Sequence, residues 1–226
     1  MLIDIITLFP EMFAGVFGES IIKRAVEKNI LTIRFTQLRD FAFDKHRQVD
    51  DSPFGGGAGM VLKPEPVYRA VRDVLGKSDE NLSRKVIITD PGGEVFTQAK
   101  AKELAALDQI IFICGHYEGF DARIYDLADE LISIGDYVLT GGELPAMVIV
   151  DAVARMLPNV LGSAESALTD SFFDGMLGYP QYTRPRDFEG KVVPEVLLSG
   201  HHAQIKKWRE AQALNLTRTR RPDLIK

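Results

Sequence analysis

The sequence predicts an α/β domain on a largely parallel sheet, followed by a small, mainly helical C-terminal part. Short apolar runs alternate with helix-period segments from Leu2 to Leu157, the pattern of parallel strands joined by crossover helices. Two of those runs lead into glycine-rich turns, Cys114-Gly-His-Tyr-Glu-Gly119 and Ser133-Ile-Gly-Asp-Tyr-Val-Leu-Thr-Gly-Gly-Glu-Leu-Pro-Ala146. After Pro158 the periodicity lapses into small polar residues and then turn-rich sequence. Hydrophobic residues make up 46% of the 226, enough for a packed core and too many for global disorder.

The first strand is predicted at Leu2–Leu8. Asp4 and the lack of a basic start separate this segment from a signal peptide. Further strands are predicted at Leu31–Gln37, Lys85–Thr89, Ile110–Cys114 and Glu130–Ile134. Helices are predicted at Phe17–Lys28, Glu65–Leu75, Thr97–Ala106, Asp121–Leu127 and Leu144–Leu157. Thr97 is placed to cap its helix. Pro64 opens the second, and Pro145 suits the first turn of the last, where its missing N–H would be unpaired anyway. That last helix is apolar nearly all round, broken mainly by Asp151 and Arg155. Such a helix is buried on most sides, and a second subunit is the simplest cover. Asp151 and Arg155, four apart, read as an ion pair on one face. Gly162 to Ser171 reads as a linker. The expected layout is a domain at 1–161, a linker at 162–171 and a helical domain at 172–226. The final helix is expected to be capped by Ser199 and anchored by Ile205, Trp208 and Leu216.

Several function classes are excluded. No apolar run reaches the roughly 18 residues of a membrane span. Cys114 is the single cysteine, which rules out an internal disulfide and fits a reducing cytoplasm. None of the four histidines has zinc-site spacing. Cys114 with His116 is a conceivable nucleophile pair, but a buried strand cysteine is the ordinary case. The glycine run Ser52-Pro-Phe-Gly-Gly-Gly-Ala-Gly-Met60 lacks the Gly-Lys-Ser/Thr of a phosphate loop and the spacing of a dinucleotide fingerprint. It remains a lid, an anion nest or a plain tight turn. Net charge is −5, yet from His201 to Lys226 seven Lys/Arg face two acids, leaving +5 there and −10 before it. A basic tail on an acidic body points to an anionic partner or to a solvated terminal helix.

Asp50-Asp-Ser-Pro-Phe-Gly-Gly-Gly-Ala-Gly-Met60, the two glycine-rich turns above and Leu197-Leu-Ser-Gly-His-His202 resemble motifs of the bacterial tRNA (guanine-37-N1)-methyltransferase family, TrmD, of the SPOUT class. The match runs in order along essentially the whole chain. Phe54 stands where tyrosine is common in the family, and Ala122 where an acid is frequent.

The resemblance implies a deep trefoil knot, an obligate homodimer, tRNA as substrate and S-adenosylmethionine as methyl donor. It implies donor contacts from Pro91, Gly115, Tyr117, Glu118, Ile134, Gly135, Asp136, Tyr137, Val138, Leu139, Gly141 and Gly142. It makes Asp170 the general base, reaching the donor site of the other protomer. Arg155 becomes the cation that stabilises charge on guanine O6. It places His46, Asp50, Ser171, Lys206, Lys207, Arg209 and Arg218 against the tRNA. Arg220 and Arg221 are further candidates for phosphate contacts. A magnesium requirement is implied too, with no ligand set beyond acids such as Glu118, Asp170 and Asp174. Without the resemblance, Asp170 reads as a loop aspartate capping a helix begun by Ser171-Phe172-Phe173, and Arg155 as the partner of Asp151. Guanine N1 carries a proton at neutral pH, so one base, one cation near O6 and fixed alignment would suffice for the chemistry.

Overall fold

The computed structural model describes residues 1–162 and 169–225. They form two compact units, Met1–Gly162 and Ser163–Lys226. In the first, five strands build one sheet: β1 (Leu2–Thr7), β2 (Thr32–Gln37), β5 (Arg84–Val95), β6 (Gln109–Cys114) and β7 (Glu130–Ser133), in the order β2-β1-β6-β5-β7. Every pairing is parallel. All six residues of β6 are buried, as expected of an unbroken apolar run covered on both faces. Two short strands, β3 (Asp50–Asp51) and β4 (Val61–Leu62), pair antiparallel at the ends of the first glycine run.

Side chains alternate between two cores. On one face Ile3, Ile5, Ile87, Ile110 and Phe112 pack with Ala146, Ile149, Val150 and Val153 of helix α5 (Glu143–Ala154). On the other, Ile6, Ile88, Ile111 and Ile113 pack with Val67, Val71 and Val74 of α3 (Pro64–Gly76). Asp4, only 2% exposed, tolerates burial because Arg34 grips both its oxygens, at 2.7 and 2.9 Å, and Gln109 donates at 2.7 Å. Phe112 is fully buried. Phe112→Ala is expected to cost about 3–5 kcal/mol by emptying that space, read as a lower urea midpoint at unchanged slope.

Several local expectations need correction. The segment Phe17–Lys28 is broken into α1 (Ala14–Phe17) and α2 (Ser20–Glu27), because Ser20 takes a left-handed φ of 52°. Helix α4 (Gln98–Leu104) does start at Thr97, whose hydroxyl accepts from the Lys100 N–H at 3.3 Å. Asp121–Leu127 becomes a 3-10 turn, Ala122–Leu127, capped by Asp121. Helix α5 begins at Glu143, so Pro145 is its third residue, not its opener. β5 runs past Thr89 to Val95, with a register shift between Thr89 and Glu94 that throws Asp90-Pro91 out of the ladder.

The second unit holds a small hairpin (Asp187–Phe188 with Lys191–Val192), a short helix Glu195–Leu198 and the final helix His202–Arg220. Ser199 closes the short helix instead of capping the final one. Its hydroxyl donates to the Val196 carbonyl and accepts from the His201 N–H. Ala213 and Thr217 are the buried positions of the final helix, while Ile205, Trp208 and Leu216 are only partly covered. Most of the expected linker, residues 163–168, lies outside the described residues. Among the described residues no helix is long and apolar enough to cross a membrane.

Candidate active site

The carboxyl ends of three adjacent strands, β5, β6 and β7, deliver three loops to one edge of the sheet. Ligands of open parallel sheets bind at that edge. The first is the Asp90-Pro91 bulge. The second runs from Gly115 to Phe120, with Tyr117 at φ 62° and Gly119 at φ 115°. The third runs from Ile134 to Gly142 and ends on α5. Backbone bonds stitch them together: the Gly142 N–H donates to the Gly115 carbonyl at 2.9 Å, and His116 bridges Gly141. The Thr89 hydroxyl donates to the Gly142 carbonyl at 3.2 Å.

The loops enclose an open cleft, about 770 Å³ of non-atom space including its mouth. Pro91, Gly115, Tyr117, Glu118, Ile134, Gly135, Tyr137, Val138, Leu139, Gly141 and Gly142 all line it. Asp136 does not. The Tyr137 N–H folds back on the Gly135 carbonyl at 2.9 Å, and the central residue of such a three-residue turn is left facing solvent. Thr89, Asp90, His116, Phe120, Tyr125, Ile132, Ser133 and Pro145 also line the cleft and were missed. Thr89 and Asp90 carried a signal, since they end a predicted strand just before Pro91. Tyr125 carried none.

Among the described residues no lysine or arginine lines the cleft, whereas Asp90 and Glu118 do. The first glycine run proves to be a tight loop docked on this wall. The Glu118 N–H donates to the Met60 carbonyl at 3.0 Å, and a Cβ on Gly59 would lie 2.4 Å from Glu118 Cγ. Cys114 is no nucleophile: its thiol is buried beneath the cleft, and burial pushes its pKa well above the ordinary value. The Tyr125 hydroxyl donates to Asp90 Oδ2 at 2.7 Å. Burial, then that bond, pushes its pKa up to about 12. A folded-state pKa raised above the ordinary 10.0 means the neutral phenol contributes stability that is full below pH 10 and lost as pH rises toward 12. Tyr125→Phe is expected to flatten that loss, read as Tm against pH.

Arg155 directly follows α5 and is partly buried. His46 is exposed on a turn where Asp44 accepts its N–H, and Asp50 pairs with Leu62. In the second unit Asp170 stands on a turn, with the Phe173 N–H donating to its carbonyl at 3.4 Å, and no helix follows it. The Ser171 hydroxyl accepts from the Gly178 N–H at 2.9 Å. Within that unit Asp170 shares a hollow with Asp174, Tyr179, His202, Lys206 and Arg209. The Arg209 guanidinium lies over the Tyr179 ring at 4.8 Å. Lys207 and Arg218 are exposed and outside it. Among the described residues no group of three or more His, Cys, Asp or Glu is clustered to hold a metal.

The family profile for the tRNA (guanine-1)-methyltransferase TrmD matches residues 1–226. A tRNA (guanine-N(1)-)-methyltransferase of Shouchella clausii is 56% identical across all of this chain and 92% of its own length. Like-named proteins of Desulforamulus reducens and Staphylococcus aureus are 56% and 57% identical across all of this chain, covering 89% and 91% of their own lengths. With the whole chain matched at this identity, it belongs to the tRNA (guanine-1)-methyltransferase TrmD family.

Proposed function

We propose that the chain methylates N1 of guanine 37 in tRNAs whose residue 36 is also guanine, with S-adenosylmethionine as donor. One observation beyond the family carries the donor assignment. Among the described residues the cleft is lined by carboxylates and backbone but by no lysine or arginine, which suits a cationic ligand and disfavours a phosphate. Its apolar walls, Phe120, Ile132, Ile134 and Leu139, suit the face of an adenine. Gly115, Gly141 and Gly142 let backbone approach the donor closely, and Glu118 is available to the donor's charged end. When bound, the donor supplies a methyl group on a sulfonium, already electrophilic.

What remains for the chain is to remove the N1 proton and align the attack. Asp170 takes that proton as guanine N1 forms its bond to carbon. Arg155 balances the charge that develops on O6. Lys206, Lys207, Arg209 and Arg218 hold tRNA phosphates, which position the substrate without reading sequence. His46, Asp50 and Ser171 lie against the target base or its neighbour. Among the described residues the acids form no cluster that would hold magnesium.

The same reading makes the protein a cytoplasmic homodimer with a knotted donor domain at 1–161, a linker at 162–171 and a tRNA-binding domain at 172–226. Dimerisation is supported by exposed apolar residues on α5 and on the turn before α1: Leu144, Val148 and Met12 are nearly half exposed. Contiguous apolar surface of this kind marks interaction sites.

The experiment is transfer of labelled methyl to tRNA carrying guanines at 36 and 37. Base-methylated product at position 37 supports the reading. Ribose methylation would replace it with a 2′-O-methyltransferase. Binding of tRNA without transfer would leave an RNA-binding module.

A further inference from the structure

Glu143 is a buried charge that none of the proposed chemistry uses. It is the first residue of α5 and only 2% exposed. Its Oε1 accepts the Thr7 hydroxyl proton at 2.7 Å. Thr7 is itself fully buried and accepts from the Phe9 N–H at 2.9 Å. The Glu143 carboxylate stands at the N-terminal end of a twelve-residue helix, where the backbone N–H groups and the helix dipole favour negative charge. The other oxygen lies directly behind the cleft wall. A Cβ placed on Gly141, a lining residue, would sit 2.5 Å from Glu143 Oε2 and 2.9 Å from His116 Nδ1. His116 Nδ1 is buried with no hydrogen-bond partner. Among the described residues no lysine or arginine lines the cleft, and the Arg39 guanidinium reaches it only by donating to the hydroxyl of the lining Tyr117, at 3.4 Å.

We propose that the Glu143 carboxylate makes the cleft charge-selective, favouring the sulfonium donor over the neutral thioether product. The inference rests on S-adenosylmethionine being the donor. In the transfer, the sulfur–methyl bond breaks and its electron pair stays on sulfur. The new carbon–nitrogen bond uses the guanine N1 pair, and the N1 proton passes to the base. The bound ligand thereby loses its positive charge at sulfur. A fixed negative charge behind the wall attracts the sulfonium before transfer, and that attraction is lost when the sulfur becomes neutral in the product. In a protein interior such a charge acts over several ångströms with little screening. Its influence already reaches the adjacent strand end: after burial itself, the Glu143 charge is the second cause raising the Cys114 thiol. The consequence is easier release of product, a step that limits many well-evolved enzymes.

The test is calorimetric titration of S-adenosylmethionine and S-adenosylhomocysteine into wild type and Glu143→Gln, with thermal melts of both. Glu143→Gln keeps the shape and the Thr7 contact while removing the charge. Donor affinity is expected to fall about 5–20-fold and product affinity less than twofold. Equal losses for both ligands, or no loss, would overturn the proposal, since a merely structural role moves both together. If Glu143→Gln does not fold, wild type is titrated with an aza analogue carrying an amine in place of the sulfonium. The analogue's amine pKa must rise on binding, and a fall overturns the proposal. Wild type that binds neither ligand defeats the donor assignment instead.

Discussion

Asp170→Ala is expected to reduce methyl transfer by about 10²–10⁴-fold, the usual worth of a positioned general base. Guanine N1 is protonated at neutral pH, so its lone pair becomes available for attack only as that proton leaves. Removing the base should act on the chemical step and leave binding of both substrates nearly intact. Single-turnover transfer with saturating donor and tRNA separates the two. Asp170 lies on a turn of the second unit, where it shares a hollow with Lys206 and Arg209. Asp170→Asn keeps the size of the side chain and should be as slow as Asp170→Ala. A fast Asp170→Asn enzyme would remove Asp170 as base while keeping the methyltransferase.

How much of this was legible in the sequence depends on what fixes each feature. The inner strands of the sheet were legible because a strand buried on both faces must be an apolar run, as in Ile110–Cys114. The glycine turns were legible as one pocket because glycine marks close backbone approach. Asp136 stands outside the cleft lining and exposed, because a motif carries identity but not direction, and the local Gly135–Tyr137 turn sets where its side chain stands. Ser199 was misassigned because a serine between two helices can serve either, and the Val196 carbonyl was the nearer partner. Tyr125 and Glu143 could not be read from their neighbours in sequence. Their roles come from Asp90 and Thr7, partners brought close only by the sheet order.

Gly142→Ala is expected to weaken donor binding by at least about 30-fold and to destabilise the fold by about 1–3 kcal/mol, the usual cost of overpacking. Its backbone, at φ −82°, is open to any residue, so the whole effect is steric. A Cβ there would meet Thr89 Oγ1 at 2.3 Å, Cys114 Cα at 2.8 Å and the Gly115 nitrogen at 2.8 Å. The threonine hydroxyl can rotate away, but the other two are backbone atoms of Cys114, the last residue of the buried strand β6, and of Gly115, just after it. The third loop must therefore lift off the second. That breaks the bond from the Gly142 N–H to the Gly115 carbonyl and reshapes the cleft wall between them. Adding Thr89→Ala removes one clash of three and should not rescue binding. Gly15→Ala provides the control. It lies in α1 with nothing within 4 Å of its added Cβ, so it should leave donor affinity unchanged and hold or slightly raise Tm. Donor titrations and melts on these variants decide it. Wild-type affinity in Gly142→Ala would show that the Gly141–Gly142 turn gives way without cost, and that glycine there is not what shapes the cleft.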